Sequence, residues 1–351
     1  MGENGLEGFH QDLLAWYRSS ARDLPWRREP APYRIWISEM MLQQTRVDTV
    51  IPYYNRFIEE IPTIQKLAAI EEDRLLKLWQ GLGYYNRALN LKKAARRIVE
   101  EFDGIMPSEV KDLMTLPGIG EYSSGAIASI AFGKKVPAID GNVLRIVARI
   151  TGSREDIGSI KTKELFRPVV LSLLPEVAVG DFNQALMDLG ATICLPNGSP
   201  KCAECPVQGY CLAHKDGLVS ELPVKTRKKI RVVEEKTVLV ISLENRLAIR
   251  KRDGGGLLPN LFEFPNLPGH LTEQECKEAV ETLGVKALEI KGLNPVRHIF
   301  THLEWKMKGY FVEVELKREQ EGLIWATREE IDTFYSIPTA FKGFLKDCCG
   351  E

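Results

Sequence analysis

Two short segments of this chain together supply glycines and one carboxylate, which are residue types that could bind an anion and stabilise a cation. Residues 116–120 (Leu-Pro-Gly-Ile-Gly) precede an apolar helix with Tyr122 near its start, and Asp140 opens a further helix. Gly118 and Gly120 can adopt positive φ and bring N–H groups close to an anion, to which the next helix adds its positive end. The segment therefore predicts a helix-hairpin-helix that binds a DNA phosphate beside a carboxylate, although an isolated Leu-Pro-Gly-x-Gly is often only a turn.

A second carboxylate, Glu39, has apolar sequence neighbours. The run 33–45 has helical spacing and places Glu39 on one face with Ile35 and Leu42. Burial without a cationic partner raises the pKa of a carboxyl group, which can then donate a proton near neutral pH. The alternative is a glutamate hydrogen-bonded to a nearby helix end. We predict that Glu39 is a general acid.

Asp140 is expected to lie in the opposite environment. It precedes a helix, so its side chain can accept from the first N–H groups, which keeps it ionised; a plain N-cap is the alternative. Two carboxylates in contrasting environments suit bond cleavage through an oxocarbenium-like transition state. One protonates the leaving group, and the other faces the developing positive charge.

Four of the seven cysteines fall within 18 residues and are separated by seven, two and five residues: Cys194, Cys202, Cys205 and Cys211. Because disulfides are disfavoured in a cytoplasmic chain, a tight quartet indicates metal. Structural zinc sites usually pair two short Cys-Cys units, whereas only Cys202 and Cys205 form one here. The spacing favours an iron–sulfur cluster over zinc.

Composition is that of a globular protein large enough for two domains. The chain has 351 residues, of which 44% are hydrophobic, and its 47 basic and 48 acidic residues give a formal charge of −1. Without an apolar run of about 18 residues or a signal-like start, it is predicted to be cytoplasmic. Two basic clusters could form a DNA footprint, or a solvated face and a linker: Lys92, Lys93, Arg96 and Arg97, and Lys225, Arg227, Lys228, Lys229 and Arg231.

Hydrophobic periodicity divides the chain into two parts. Residues 1–222 have helical spacing almost throughout, and predict an all-α domain that includes the cysteine loop 194–211. Residues 223–232 combine a proline with dense positive charge and predict a basic linker. Residues 233–351 alternate strand-like and helical runs, which predicts an α+β domain. The fold class is therefore multidomain.

Taken together, these residues make the chain resemble the helix-hairpin-helix DNA glycosylases with an iron–sulfur loop, and within them the MutY family of adenine DNA glycosylases. The resemblance covers nearly the whole chain and is carried by residues 24–27, 36–45, 81–85, 116–120, 140–142 and 182–190. It implies a [4Fe-4S] cluster on the four cysteines. It also implies a monomer acting on double-stranded DNA with adenine opposite 8-oxoguanine or guanine. The family's loop usually has one residue fewer between the first two cysteines.

The resemblance also implies roles for individual residues. Glu39 protonates adenine N7, Asp140 stabilises the cationic sugar, and Tyr122 and Asn142 support the same centre. Four side chains surround the extruded adenine: Arg22, Trp26, Leu42 and Gln184. Four more meet the opposing base, with Leu82 or Tyr84 as a wedge in the base stack: Gln44, Thr45, Leu82 and Tyr84. Core packing is the alternative for Trp26, Leu42 and Tyr84.

Position 122 distinguishes two related families. In the endonuclease III type, a lysine at the matching position attacks the sugar and permits strand cleavage. Tyr122 cannot form a Schiff base, so a monofunctional glycosylase of base excision repair is expected. The alternatives are an endonuclease III-like enzyme that acts on oxidised pyrimidines and a non-catalytic damage-binding protein.

The C-terminal part resembles the Nudix fold of hydrolases that act on oxidised guanine nucleotides. The matching helix, 277–284, has Thr282 where a magnesium-binding glutamate is needed, so phosphohydrolysis is not expected. Phe300, Thr301 and His302 match the family motif that senses 8-oxoguanine, with threonine where serine is often found. The hydroxyl is retained, and with it the hydrogen bond. Outside the family context these residues would read as an ordinary strand end.

Overall fold

The structure is a computed structural model that describes residues 3–196, 198–226, 231–316 and 322–349. The chain forms two compact units, the first from Met1–Ala69 and Asn90–Arg227, the second from Ile70–Leu89 and Lys228–Glu351. The predicted linker at 223–232 lies partly outside the described residues, as do Arg227, Lys228 and Lys229 of its basic cluster. Within the described ranges, no helix is long and apolar enough to cross a membrane.

The first unit is helical, as predicted. Its helices are α1 (Glu3–Ser20), α2 (Pro25–Arg28), α3 (Pro32–Leu42), α4 (Val47–Glu60), α5 (Ile64–Ala69), α8 (Val110–Leu113), α9 (Glu121–Phe132), α10 (Gly141–Thr151), α11 (Ile160–Leu173), α12 (Val179–Thr192) and α13 (Leu212–Lys215). In the second unit, α6 (Glu72–Trp79) precedes α7 (Asn86–Glu101), which continues into the first. Phe9 on α1, Val147 on α10 and Phe182 on α12 meet in a buried apolar cluster.

The helix-hairpin-helix is formed by α8 and α9. Helix α8 is a single turn that ends at Leu113, four residues ahead of Pro117. Gly118 has φ 81°, in the region that glycine favours. Gly120 has φ −96° and is the extended N-cap of α9, so positive φ is found only at Gly118 of these two.

Not all of the predicted basic cluster on α7 is exposed. Lys92 is buried, and Arg97 forms an ion pair with Glu101. The Arg97 guanidinium also donates to the Thr115 carbonyl at 2.6 Å. Arg97 therefore supports the hairpin through Thr115, and the cluster does not form a continuous solvated face.

The second unit contains a mixed sheet with strand order β3-β2-β1-β6-β5, in which β1 and β6 run parallel. Its strands are β1 (Val232–Leu243), β2 (Arg246–Lys251), β3 (Phe262–Glu263), β4 (Asn266–Pro268), β5 (Val285–Ile299), β6 (Leu303–Leu316) and β7 (Ile324–Ala326); its later helices are α14 (Glu273–Thr282), α15 (Arg328–Phe334) and α16 (Lys342–Cys349). Val238 and Val240 face a core that includes Phe344 of α16, whereas Leu239 and Ile241 face one that includes Val280 of α14. The alternation follows the period of a strand, and the α+β prediction is confirmed.

Gly125 on α9 has no room for a side chain. A Cβ at Gly125 would lie 2.2 Å from the Pro137 carbonyl oxygen, which belongs to backbone that leads into Asp140. Gly125→Ala should therefore destabilise the protein by about 1–3 kcal/mol, the usual cost of overpacking. Thermal unfolding would measure the loss. Gly209→Ala, where a Cβ meets nothing within 4 Å, is the control and should leave the midpoint unchanged. Equal midpoints for both variants would contradict the prediction.

Candidate active site and cysteine loop

A cavity of about 180 Å³ in the first unit collects the predicted catalytic side chains. The sequence-predicted residues that line it are Arg22, Trp26, Glu39, Leu42, Thr45, Tyr122, Asp140, Asn142 and Gln184. Helices α3, α9, α10 and α12 each contribute to its wall. The structure thus brings both carboxylates to one pocket, together with all four side chains expected around an extruded adenine.

Glu39 is the buried acid of this pocket. Its side chain is 5% exposed, and its Oε2 atom has no hydrogen-bond partner in the described part of the chain. Burial raises the pKa of Glu39 to about 7; a hydrogen bond with Tyr122 and the charge of Arg27 act against this rise, while the charge of Asp140 adds to it. A large fraction of Glu39 is therefore protonated at neutral pH, as the sequence predicts.

Asp140 caps α10 through both of its carboxylate oxygens. Its Oδ1 accepts from the backbone N–H groups of Asn142 and Val143, each at 2.8 Å, and its Oδ2 accepts from the Asn142 amide at 2.8 Å. The predicted cap is confirmed. These bonds do not lower the pKa as expected: burial outweighs them and raises the pKa of Asp140 above its ordinary value. The two carboxylates still differ, because Asp140 has donors on both oxygens and Glu39 does not.

Tyr122 lies beside both carboxylates at the start of α9. Its hydroxyl is 3.8 Å from the Met187 sulfur. Burial, with the negative charges of Glu39 and Asp140, raises the pKa of Tyr122 well above its ordinary range. The side chain is therefore a neutral phenol, which can donate a hydrogen bond within the pocket but offers no amine to a sugar.

Arg27 and Asp188 shape the pocket, and neither was singled out from the sequence. Asp188 is buried and accepts from the Arg27 Nη1 at 2.8 Å and from the Arg22 Nε at 2.9 Å. Burial raises the pKa of Asp188, but the two arginines lower it by more, so the carboxylate is ionised. Arg27 Nε also donates to Gln184 Oε1 at 2.9 Å, which leaves the Gln184 amide NH₂ as the donor available to a ligand.

Helix α10 connects the pocket to the cysteine loop through two buried arginines. Arg145 donates to Asn142 Oδ1 at 3.0 Å and to the Cys194 carbonyl at 2.8 Å. Arg149, one turn later, places its Nη1 at 3.1 Å from the Cys194 sulfur. The loop and the N-cap of α10 are thus held by the same helix.

The four predicted cysteine ligands line one small cavity in the first unit, together with Arg149. All four are free thiols: Cys194, Cys202, Cys205 and Cys211. Burial raises the pKa of Cys205 to about 11, and the charges of the other three thiols add to the rise, so the four sulfurs interact electrostatically. Over the described ranges, no three His, Cys, Asp or Glu side chains are grouped so that they could hold a single metal ion.

The extra residue between the first two cysteines lies in a surface excursion. Lys201 donates its N–H to the Ile193 carbonyl at 3.0 Å, so the chain leaves and re-enters the loop at one point. The residues between them are partly or fully exposed, apart from Asn197, which is outside the described residues. Cys194 and Cys202 can therefore face the same cavity despite the longer spacing.

The residues expected to meet the opposing base are divided between the two units. In the first unit, Gln44 is exposed with φ 57°, and Thr45 lines the pocket. In the second unit, Leu82 is buried, whereas Tyr84 is 46% exposed and has φ 50°. Of the two wedge candidates, only Tyr84 is accessible in this structure.

The predicted recognition motif forms the turn between β5 and β6. The Phe300 N–H donates to the Leu303 carbonyl at 2.8 Å, and its ring packs edge-on against Trp305 with centroids 4.9 Å apart. Thr301 and His302 are exposed at the tip of the turn. The Thr301 hydroxyl lies 2.8 Å from the hydroxyl of Tyr84 in the same unit. Phe300 therefore anchors the turn, and its two neighbours are available to a ligand.

Comparison with known proteins agrees with this site. Residues 37–170 match the family model of the HhH-GPD superfamily of base excision DNA repair proteins, and residues 237–347 match that of the NUDIX domain. The fold and the pocket define a helix-hairpin-helix DNA glycosylase. The chain is 33% identical to the adenine DNA glycosylase of Homo sapiens (99% of this chain, 75% of the relative) and 43% identical to that of Rattus norvegicus (96% and 77%). It belongs to the adenine DNA glycosylase family.

Solved structures resemble about three-fifths of the chain. A thermostable thymine-DNA glycosylase is 28% identical with a TM-score of 0.54, and the match covers 61% of this chain and 98% of that one. An endonuclease III in a non-covalent DNA complex has a TM-score of 0.51 over the same shares at 21% identity, which shows the fold alone. The family model and the relatives together show that the chain is a DNA glycosylase.

The raised pKa of Glu39 predicts how stability depends on pH. Its value in the folded protein, about 7, exceeds the ordinary 4.5, so the folded state binds the proton more tightly. The free energy of unfolding should therefore fall by about 3 kcal/mol as the pH rises from below 4.5 to above 7. Glu39→Gln removes this fall and should be more stable than the wild type at pH 8 but not at pH 4.5. Chemical denaturation at both values tests this, with exposed Glu100→Gln as control; equal pH dependence in all three proteins would refute it.

Proposed function

We propose that this enzyme hydrolyses the N-glycosidic bond of adenine opposite 8-oxoguanine, or opposite guanine, in DNA. The observation that carries the proposal is the convergence of Glu39 and Asp140 on one pocket. A glycosylase domain within 1–222 would perform the chemistry, and a recognition domain within 233–351 would read the opposing base. We further propose that the protein acts as a monomer in the cytoplasm.

Glu39 is the proposed general acid. Its Oε2 atom is buried without a protein partner, which leaves it available to a purine nitrogen. Proton transfer to adenine N7 lets the base leave as neutral adenine while the C1′–N9 bond breaks. Because the pKa of Glu39 is raised to about 7, the acid form is present at neutral pH.

Asp140 is the proposed partner of the cationic sugar. Loss of the base leaves an oxocarbenium-like centre, and a carboxylate held on three N–H groups is a fixed negative charge that needs no reorganisation. Asn142 and Tyr122 keep the two carboxylates in place. Water then adds to C1′ and loses a proton to the Glu39 carboxylate, which restores the acid, completes the hydrolysis and produces an abasic site.

The walls of the cavity suit an extruded purine. Trp26 and Leu42 supply apolar surface, while Arg22 and the NH₂ group of Gln184 supply donors for its ring nitrogens. Because position 122 is a tyrosine, no lysine amine at that position can form a Schiff base with the sugar. The reaction should therefore stop at the abasic site, without strong strand cleavage.

Recognition of the opposing base is proposed to involve Thr301. 8-Oxoguanine differs from guanine by an N7–H donor and an O8 acceptor, and an exposed hydroxyl can both accept and donate. His302 lies beside Thr301 on the same exposed turn. Tyr84 is the proposed wedge in the stack, and Gln44 and Thr45 are proposed to meet the opposing base as well.

The cysteine loop is proposed to hold a [4Fe-4S] cluster. Four thiols around one cavity form the sulfur-only donor set that such a cluster requires, and the Arg149 guanidinium lies beside Cys194. The bound cluster would cross-link the loop that Arg145 and Arg149 attach to α10. In this role it braces the pocket.

The central prediction concerns excision from mispaired duplexes. Purified protein should create abasic sites at adenine opposite 8-oxoguanine, and Glu39→Gln should reduce the single-turnover rate by at least about 10²-fold, the lower end of general-acid catalysis. Its DNA affinity should be unchanged. Glu100→Gln serves as the matched control, since it makes the same change at an exposed site.

Three results would decide for other functions. Release of oxidised pyrimidines with strand nicking, but no excision of adenine, would identify an endonuclease III-like enzyme. Tight binding to damaged DNA with no excision by the wild type would identify a damage-binding protein. Pyrophosphate release from an oxidised guanine nucleotide with magnesium would assign hydrolysis to the C-terminal domain.

A separate prediction concerns the cofactor. Protein purified without oxygen should be brown and should contain about four irons per chain. It should absorb visible light at about 400 nm. Cys205→Ser should lower iron content and thermal stability together, whereas Cys276→Ser, outside the loop, should retain the iron. Colourless protein that contains zinc would refute the cluster.

A further inference from the structure

Helix α6 belongs to the same compact unit as the C-terminal sheet, although it lies far away in the sequence. Residues 70–89 fall in the middle of the stretch that matches the glycosylase superfamily, 37–170. Nothing in the sequence pattern of α6 distinguishes it from the helices around it. Its polar contacts explain the grouping.

Lys77 on α6 caps the C-terminal end of α15. Its ammonium group donates to the Ile331 carbonyl at 3.1 Å and to the Tyr335 carbonyl at 3.0 Å. The last carbonyls of a helix carry partial negative charge, so a cation is stabilising there. Gln80, just after α6, donates its amide to the Ile337 carbonyl at 2.7 Å. Three carbonyls at and just after the end of α15 thus accept from α6 and its C-cap residue.

Two further contacts flank this cap. Asp73 pairs with Lys251 at 2.6 Å, and Asn260 donates to Glu72 at 2.6 Å. The Asp73 pair is about half exposed, and ion pairs of this kind contribute little in water. Lys77 donates from a partly buried position, where its bonds are less screened. We therefore assign most of the docking strength to Lys77 and Gln80.

The same segment ends at the proposed wedge. Arg87 donates to the Gly83 carbonyl at 2.9 Å and lies over the Tyr84 ring at 5.5 Å from its centroid, which fixes the turn that follows α6. Tyr84 in turn contacts the Thr301 hydroxyl at 2.8 Å. The position of α6 on the C-terminal sheet therefore sets the separation of Tyr84 and Thr301.

We infer that Lys77 is a positioning residue for recognition of the base opposite adenine, which it supports by docking α6 onto the end of α15. The inference rests on the proposed function, because it assigns specificity to the pairing of Tyr84 with Thr301. Lys77 does not itself touch the base. Loss of its two bonds releases the wedge from the recognition turn and leaves the pocket of Glu39 and Asp140 intact.

The test compares excision from two substrates. Single-turnover rates are measured in the full-length holoprotein for adenine opposite 8-oxoguanine and for adenine opposite guanine. Lys77→Met removes the donor and keeps the length of the side chain. It should lower the preference for 8-oxoguanine by about tenfold, the loss expected for a charge-assisted hydrogen bond, with little change in the rate opposite guanine. Lys77→Arg should restore most of the preference, and the near-isosteric Gln80→Glu should lower it as well.

Exposed Lys346 on α16 provides the matched control, and Lys346→Met should keep the wild-type preference. An unchanged preference in Lys77→Met overturns the inference while leaving the proposed function intact. Equal slowing on both substrates, together with a lower unfolding midpoint, also overturns it, because that result is a general loss of folding. A wild type without any preference for 8-oxoguanine refutes the proposed recognition, and the inference falls with it.

Discussion

The burial of one carboxyl group, that of Glu39, is the constraint on which the rest of the site depends. A buried acid with one unpartnered oxygen costs stability once it ionises, and the same burial keeps a large fraction of it protonated near neutral pH. The hydrogen bond with Tyr122 and the charge of Arg27 oppose this effect, whereas the charge of Asp140 adds to it. Tyr122 stays neutral beside it, and Asp140 takes its donors from the first turn of α10 instead of from Glu39.

The polar side chains around the pocket are hydrogen-bonded to one another in a defined arrangement. Asp188 holds two arginines, one of which orients Gln184, and Arg145 secures Asn142 from the side of the cysteine loop. Buried networks of this kind specify a geometry because each member would lose its partners if it moved. The pocket is thereby preorganised, which is what stabilisation of a short-lived cationic sugar requires.

In the second unit, an exposed turn is likewise held in place by its neighbours. Packing of Phe300 against Trp305 anchors the turn between β5 and β6, and Thr301 and His302 are exposed at its tip. The long strand β5 carries mostly exposed residues at the edge of the sheet, so its alternation is weak, and the periodicity of the sequence does not reveal it. Helix α16 packs on one face of the same sheet, and the periodicity of the sequence does not predict it either.

The local features could be predicted from the amino-acid sequence: the helical first part, the hairpin at Gly118, the cap at Asp140, the apolar surroundings of Glu39 and the cysteine spacing. Each of these depends on residues close together in the chain, where periodicity and capping chemistry act directly. Other features became visible in the folded chain alone: Glu39 and Asp140 share a pocket, burial outweighs the cap in setting the pKa of Asp140, and Asp188 joins Arg22 and Arg27. In addition, α6 docks on the C-terminal sheet. These contacts join residues far apart in the sequence, and their desolvation depends on how whole helices pack, which no local pattern encodes.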